Sequence, residues 1–147
     1  MSSSEIPAKL STLVARFKRH SDPKLRYQQL LSYAKKLQPL PEEDKVPENK
    51  VKGCVSQVYI SARIEDGKVV YSGDSDAQLV KGLVAFLIEG LNGLTPEEIL
   101  KVSPDFIAET GLNASLTPSR ANGFYNTFQM MKQKALNFQV ATTTEQN

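Results

Sequence analysis

The 147-residue chain holds one cysteine, one histidine and no tryptophan. A single thiol cannot close an intramolecular disulfide. One Cys and one His cannot complete a tetrahedral zinc site, and one thiolate cannot hold an iron–sulfur cluster within one chain. The cysteine therefore acts as a lone nucleophile, forms a transient bond to a partner, or carries no chemistry at all. No apolar run approaches the ~20 residues needed to span a bilayer. The opening MSSSEIPAKL has no basic segment followed by an apolar one and is short of Arg, so neither a signal nor a transit peptide is expected, and the expected compartment is the cytoplasm. Gly and Pro, at 8 each, are too few for a collagen-like or linker-dominated chain.

What is present describes a globular domain. Apolar residues make up 40% and charged residues 23%, and the length suits one domain with an ordinary core. The net charge of +2 is unevenly spread. Residues 1–40 carry Lys9, Arg16, Lys18, Arg19, Lys24, Arg26, Lys35 and Lys36 against Glu5 and Asp22, a local +6 that leaves −4 for the rest. This asymmetry suits either a solvated helix face or a dock for an acidic partner. No stacking aromatics or recognition motif accompany it, so nucleic acid is not an expected partner, nor is a membrane.

The hydrophobic pattern sets the element order. Ile6, Leu10, Leu13, Val14 and Phe17 recur at helical spacing, predicting a helix over Ser4 to Arg19. Asp22 followed by Pro23 predicts the capped start of a second helix, with Tyr27, Leu30, Leu31, Ala34 and Leu37 on its stripe. Residues 38–53, proline-rich and charged, read as an exposed loop ending at Gly53-Cys54. Val58, Ile60, Ala62 and Ile64 then alternate with polar residues as a strand with one buried face, Asp66-Gly67 signals a tight turn, and Lys68 to Ser72 returns. Gly73-Asp74-Ser75-Asp76 is expected to stop that strand and cap an apolar helix over Ala77 to Glu89, with Gly90 as its stop. Thr95-Pro96, Ser103-Pro104 and Thr117-Pro118 predict three more helix starts, the last helix running to about Phe138. The expected fold class is α+β, a small antiparallel sheet packed against several helices.

Cys54 leads the candidates for chemistry. It follows Gly53 at the end of the charged loop, between Lys50, Lys52 and the coming strand. A buried cysteine is commonly inert, but a neighbouring ammonium favours the nucleophilic thiolate. Arg120, in the first turn of the last helix, opposes the helix dipole, so it is either turned outward or an anchor for an anionic group. Asp74, Ser75 and Asp76 suit an N-cap and equally a partner contact. His20 is distant in sequence, and no motif supports a Cys–His pair.

Four blocks in order, Val51-Lys52-Gly53-Cys54-Val55-Ser56-Gln57-Val58, Gly73-Asp74-Ser75-Asp76-Ala77, Val80-Lys81-Gly82-Leu83 and Ser115-Leu116-Thr117-Pro118-Ser119-Arg120, resemble the SufE family of sulfur-acceptor proteins. The similarity runs from about Ile6 to about Ala135, which implies a single SufE-like domain over 1–138, with 139–147 expected as a disordered tail. The resemblance implies a fold shared with IscU-type scaffolds and a protein that is not itself an enzyme. It implies a SufS-type cysteine desulfurase as partner, with pyridoxal phosphate on that partner and no cofactor or metal on this chain. Cys54 matches the position that takes persulfide sulfur, stimulates the desulfurase and passes sulfur towards a downstream iron–sulfur scaffold. Lys52 and Gly53, the Asp74-Ser75-Asp76 corner and Arg120 are expected to seat the partner or position the loop, on a monomer or weak homodimer. In the family the acceptor cysteine rests in an apolar pocket and swings out. Val55 and Tyr59 depart from the family's usual Gln and Trp. An IscU-like scaffold, a redox-sensing thiol and an adaptor with a structural cysteine are the competing readings.

Overall fold

A computed structural model describes residues 6–146. Helix α1 spans Ala8–Lys18 and buries Leu10, Leu13, Val14 and Phe17, the stripe set by the apolar spacing. Ser4 and Glu5, where the sequence places the start of this helix, lie outside the described residues. Helix α2 spans Pro23–Lys36, and the Asp22 carboxylate accepts the Lys24 amide at 3.0 Å, so the Asp-Pro start is used as expected. The segment that follows is not featureless. It folds two short 3-10 turns, Glu42–Asp44 and Pro47–Asn49.

Strands β1, Val58–Glu65, and β2, Lys68–Ser75, pair antiparallel, with Glu65 opposite Lys68 and Val58 opposite Ser75. Asp66 and Gly67 both take positive φ, 53° and 76°, the backbone of the primed turn that matches strand twist. The buried face of β1 stops short. Val58 and Ile60 are buried, but Ile64 is exposed, while Val69 opposite it on β2 is buried, so cover at the far end of the hairpin falls on β2 and not on β1. β2 continues through Gly73-Asp74-Ser75, so this corner ends the strand instead of preceding the end.

Helix α3, Gln78–Leu91, is the centre of the molecule. Its residues Leu83, Val84, Phe86, Leu87 and Leu91 are buried, as its near-continuous apolar pattern requires. The α2 backbone crosses it at Gly82, where a Cβ would lie 2.7 Å from the Leu30 carbonyl carbon. Gly90 does not stop the helix. It lies within it and leaves room for Leu10 of α1. Phe86 makes edge-to-face contacts with Phe17 at 5.3 Å and Phe124 at 6.0 Å. Burying such a ring contributes roughly 1.5–3 kcal/mol.

Helix α4, Pro96–Leu100, starts with a complete capping box between Thr95 and Glu98. Helix α5, Asp105–Glu109, follows Ser103, whose hydroxyl accepts the Asp105 amide at 3.2 Å. A short α6, Leu112–Ser115, enters from Gly111 at φ 78° and was not expected. The Arg26 guanidinium anchors this corner, donating to the Gly111 carbonyl at 2.9 Å and the Ser115 hydroxyl at 3.1 Å. Helix α7, Pro118–Gln146, continues past Phe138, so most of the expected tail is helical. No glycine or proline follows Gly123 to end it. The buried Tyr71 hydroxyl of β2 donates to the Met131 carbonyl of α7 at 2.5 Å, fastening the hairpin to that helix. The result is an α+β fold, a two-stranded antiparallel sheet packed on helices. Among the described residues no helix is long and apolar enough to cross a membrane.

Candidate functional site

Cys54 lies on a loop that is closed at its neck. The Val51 amide donates to the Val58 carbonyl at 2.8 Å, and Lys50 bridges to Tyr59. Val51 and Val58 are buried, so the neck is fixed in the core while residues 52–57 form the projecting tip. Gly53 takes φ 76°, a left-handed conformation that side chains other than glycine rarely adopt, and this turns the next residue inward.

The Cys54 side chain then enters a small, mainly apolar pocket between α3 and the start of α7. Val80, Leu83 and Val84 line it from α3, and Arg120, Gly123 and Phe124 from α7. The sulfur lies against the bare face of Gly123, where a Cβ would come within 2.8 Å of Sγ. The thiol is half-buried, while the neighbouring Val55 is 88% exposed. One step along the loop therefore separates a sheltered nucleophile from an apolar side chain left in water.

Burial pushes the Cys54 pKa above the ordinary thiol value, the Ser56 backbone N–H opposes this by stabilising the thiolate, and the Asp76 carboxylate adds to the upward shift. The net direction is up, so the stowed sulfur is held as a weakly nucleophilic thiol. Lys52 is exposed, and desolvation is the largest influence on the thiol.

The other expected residues divide into two groups. Arg120 shares the Cys54 pocket and is exposed, and Thr117 caps the α7 start by accepting the Arg120 amide at 3.3 Å. Asp76 holds the far end of the loop, its carboxylate accepting the Gln57 amide at 3.0 Å and its own amide donating to the Gln57 carbonyl at 3.2 Å. It therefore does not cap α3, and the Ser75 hydroxyl instead accepts the Ala77 amide at 3.2 Å. Asp74 lies apart from the thiol pocket. It pairs with Lys81 of α3 at 3.6 Å and Lys45 of the preceding loop at 3.9 Å, in a cleft that Ser75 and Asp76 also line. His20 follows α1, whereas the Cys54 pocket is built by α3 and α7. Among the described residues no cluster of three or more His, Cys, Asp or Glu side chains is placed to hold a metal.

The sequence reading missed Gly123 and Asn126. Gly123 carried a readable signal, since a glycine inside a helix costs about 1 kcal/mol relative to alanine and marks a close approach. Asn126, whose side-chain amide donates to the Gly53 carbonyl at 2.9 Å, carried none.

This fold and site define a class, a small α+β domain that stows one loop thiol against a helix glycine. Residues 11–135 match the SufE family model, described as the Fe-S metabolism associated domain. The chain belongs to the SufE family. It is 66% identical over 140 residues to an uncharacterized SufE-like protein of Synechocystis, covering 95% of this chain and 88% of that protein. It is 47% identical to SufE-like protein 1, chloroplastic/mitochondrial, of Arabidopsis thaliana, covering 92% of this chain and 37% of the relative. With the cysteine desulfuration protein SufE of Plasmodium falciparum it shares 40% identity over 76% of this chain and 47% of the relative. The chain thus spans less than half the length of these last two. The solution structure of a hypothetical protein from Thermus thermophilus superposes with a TM-score of 0.78 at 32% identity, covering 90% of this chain and 97% of that one.

Proposed function

We propose that this chain is a sulfur acceptor in iron–sulfur metabolism, taking sulfane sulfur onto Cys54 from the persulfide of a SufS-type cysteine desulfurase. The Cys54 thiolate attacks the outer sulfur of the donor persulfide. A new S–S bond forms at Cys54, the donor S–S bond breaks, and the donor cysteine leaves as a thiolate that takes up a proton. The exchange is redox-neutral and needs no cofactor on this chain, since the pyridoxal phosphate that extracts sulfur from cysteine works on the desulfurase. Removing sulfur from the donor frees it for another turnover, which is how acceptance would stimulate it. The Cys54 persulfide then passes its sulfur to an iron–sulfur scaffold. The cytoplasm, where such thiols stay reduced, is the proposed compartment.

The observation that carries this reading is the stowage of Cys54. A thiol with a raised pKa in an apolar pocket is protected from adventitious oxidants, yet it sits on a loop tip beside an exposed Val55. A carrier needs both properties. Arg120 is exposed and lines the same pocket, which supports a role in meeting an anionic group on the partner, and Lys52 adds a second exposed cation on the loop.

The test combines the chain with a cysteine desulfurase, pyridoxal phosphate and cysteine. Intact-mass spectrometry should show added sulfur, peptide mapping should place it on Cys54, and Cys54→Ser should take none while folding normally. Desulfurase turnover with no sulfur on Cys54 refutes the proposal.

A further inference from the structure

We propose that Asn126 is the latch of the Cys54 loop, a positioning residue that sets how often the thiol leaves its seat. Its consequence for sulfur acceptance rests on the function proposed above, but the latch itself is a property of the loop.

The moving part can be delimited from its attachments. Upstream, the Lys134 ammonium of α7 donates to the Asn49 side-chain carbonyl at 2.8 Å, and the Asn49 amide donates to the Asp44 carbonyl at 2.8 Å. The bond from the Val51 amide to the Val58 carbonyl closes the neck. Residues before 51 and after 58 are thus fastened to the body, and the swing is confined to 52–57. Within that tip, Gln57 is held to Asp76 at the β2 end. At the other end, the bond from the Asn126 Nδ2 to the Gly53 carbonyl fastens the peptide that leads into Cys54.

These two attachments are not equivalent. The Gly53 carbonyl belongs to the peptide group joined directly to Cys54, so swinging the Cys54 backbone away from α7 displaces that oxygen and breaks the Asn126 bond. The Gln57 clamp lies at the opposite end and can act as the hinge. Gly53 is also shaped to the latch, because a Cβ there would lie 2.6 Å from Asn126 Nδ2. Both the left-handed φ of Gly53 and its missing side chain therefore let the amide approach.

The latch is weak by construction. Gly53 is exposed and Asn126 only half-buried, so water replaces the bond when the loop opens. A bond of this kind is worth roughly a 2- to 10-fold bias toward the closed loop. That bias returns the thiol to its pocket without preventing its release.

The test is alkylation of Cys54 by iodoacetamide at fixed pH, with the rate in the denatured chain as reference. Asn126→Ala and the near-isosteric Asn126→Leu, which keeps the shape and loses the donor without adding a charge, should each speed alkylation by roughly 2- to 10-fold. Hydrogen exchange at the Val51 amide separates a latch from general loosening. It should stay protected in both variants, because the neck does not open. Unchanged alkylation in folded Asn126→Leu overturns the proposal, as does acceleration accompanied by loss of Val51 protection. Alkylation requires no desulfurase, so failure of sulfur transfer to Cys54 with an intact latch would count against the proposed function alone.

Discussion

Gly123→Ala tests whether the thiol needs its seat. A methyl carbon on α7 would lie 2.8 Å from Cys54 Sγ. Non-bonded carbon and sulfur keep nearer 3.5–4.0 Å, so the overlap is about 1 Å. Overpacking of that kind costs about 1–3 kcal/mol in a rigid core. Here the strain has an outlet, because the atom pressed upon belongs to a loop tip. The closed loop should lose that energy relative to the open one, a shift of roughly 5- to 100-fold in favour of exposure. The helix itself gains about 1 kcal/mol from replacing glycine with alanine, open or closed. The global melting temperature should therefore change little while alkylation of Cys54 by iodoacetamide accelerates at least several-fold. A folded variant in which Cys54 is as protected as before refutes the account of the seat. A large loss of stability without exposure would show that α7 yields and the loop does not.

Further outcomes follow from the same geometry. Because the Cys54 pKa is raised, the stowed loop is fully favoured below the ordinary thiol pKa and loses that preference as pH rises through the raised value. Alkylation should therefore climb with pH beyond the range of a free thiol. Asp76→Asn removes a charge that raises this pKa and should move the profile to lower pH, and an upward shift would contradict the assignment. Gly82→Ala should be among the most damaging single methyl additions, because its Cβ meets Leu30 backbone that cannot rotate away. Urea titration should register a loss of about 3 kcal/mol or failure to fold, and a change within ~0.5 kcal/mol would refute the close α2–α3 crossing. Arg26→Met strips donors from the Gly111 carbonyl and the Ser115 hydroxyl, with an expected cost of about 1–3 kcal/mol in thermal unfolding. A neutral result would show that this corner holds without it.

The local grammar of this chain was largely legible. Asp22-Pro23, Asp66-Gly67 and Thr95 with Glu98 do in the structure what their side chains dictate in isolation, because each acts on backbone within a few residues. Boundaries set by breakers were less secure. Gly90 and Gly73 lie inside a helix and a strand because neighbouring side chains occupy the space a Cβ would take. That is a fact about packing partners, not about the glycines. The extent of α7 was misjudged for the opposite reason, an assumed stop where no breaker exists.

Sequence alone determined that any cysteine chemistry would have to use one thiol, that it follows a glycine after a charged loop, and that an antiparallel hairpin and a central apolar helix accompany it. These are properties of composition and short-range spacing. Only the tertiary structure decided the state of that thiol. Its pocket is built from α3 and α7, elements distant from Cys54 along the chain, and its pKa is set by how much water those elements exclude. Gly123, 69 positions along the chain, lies against the sulfur, and desolvation acts through whatever packs against an atom, which chain proximity does not decide.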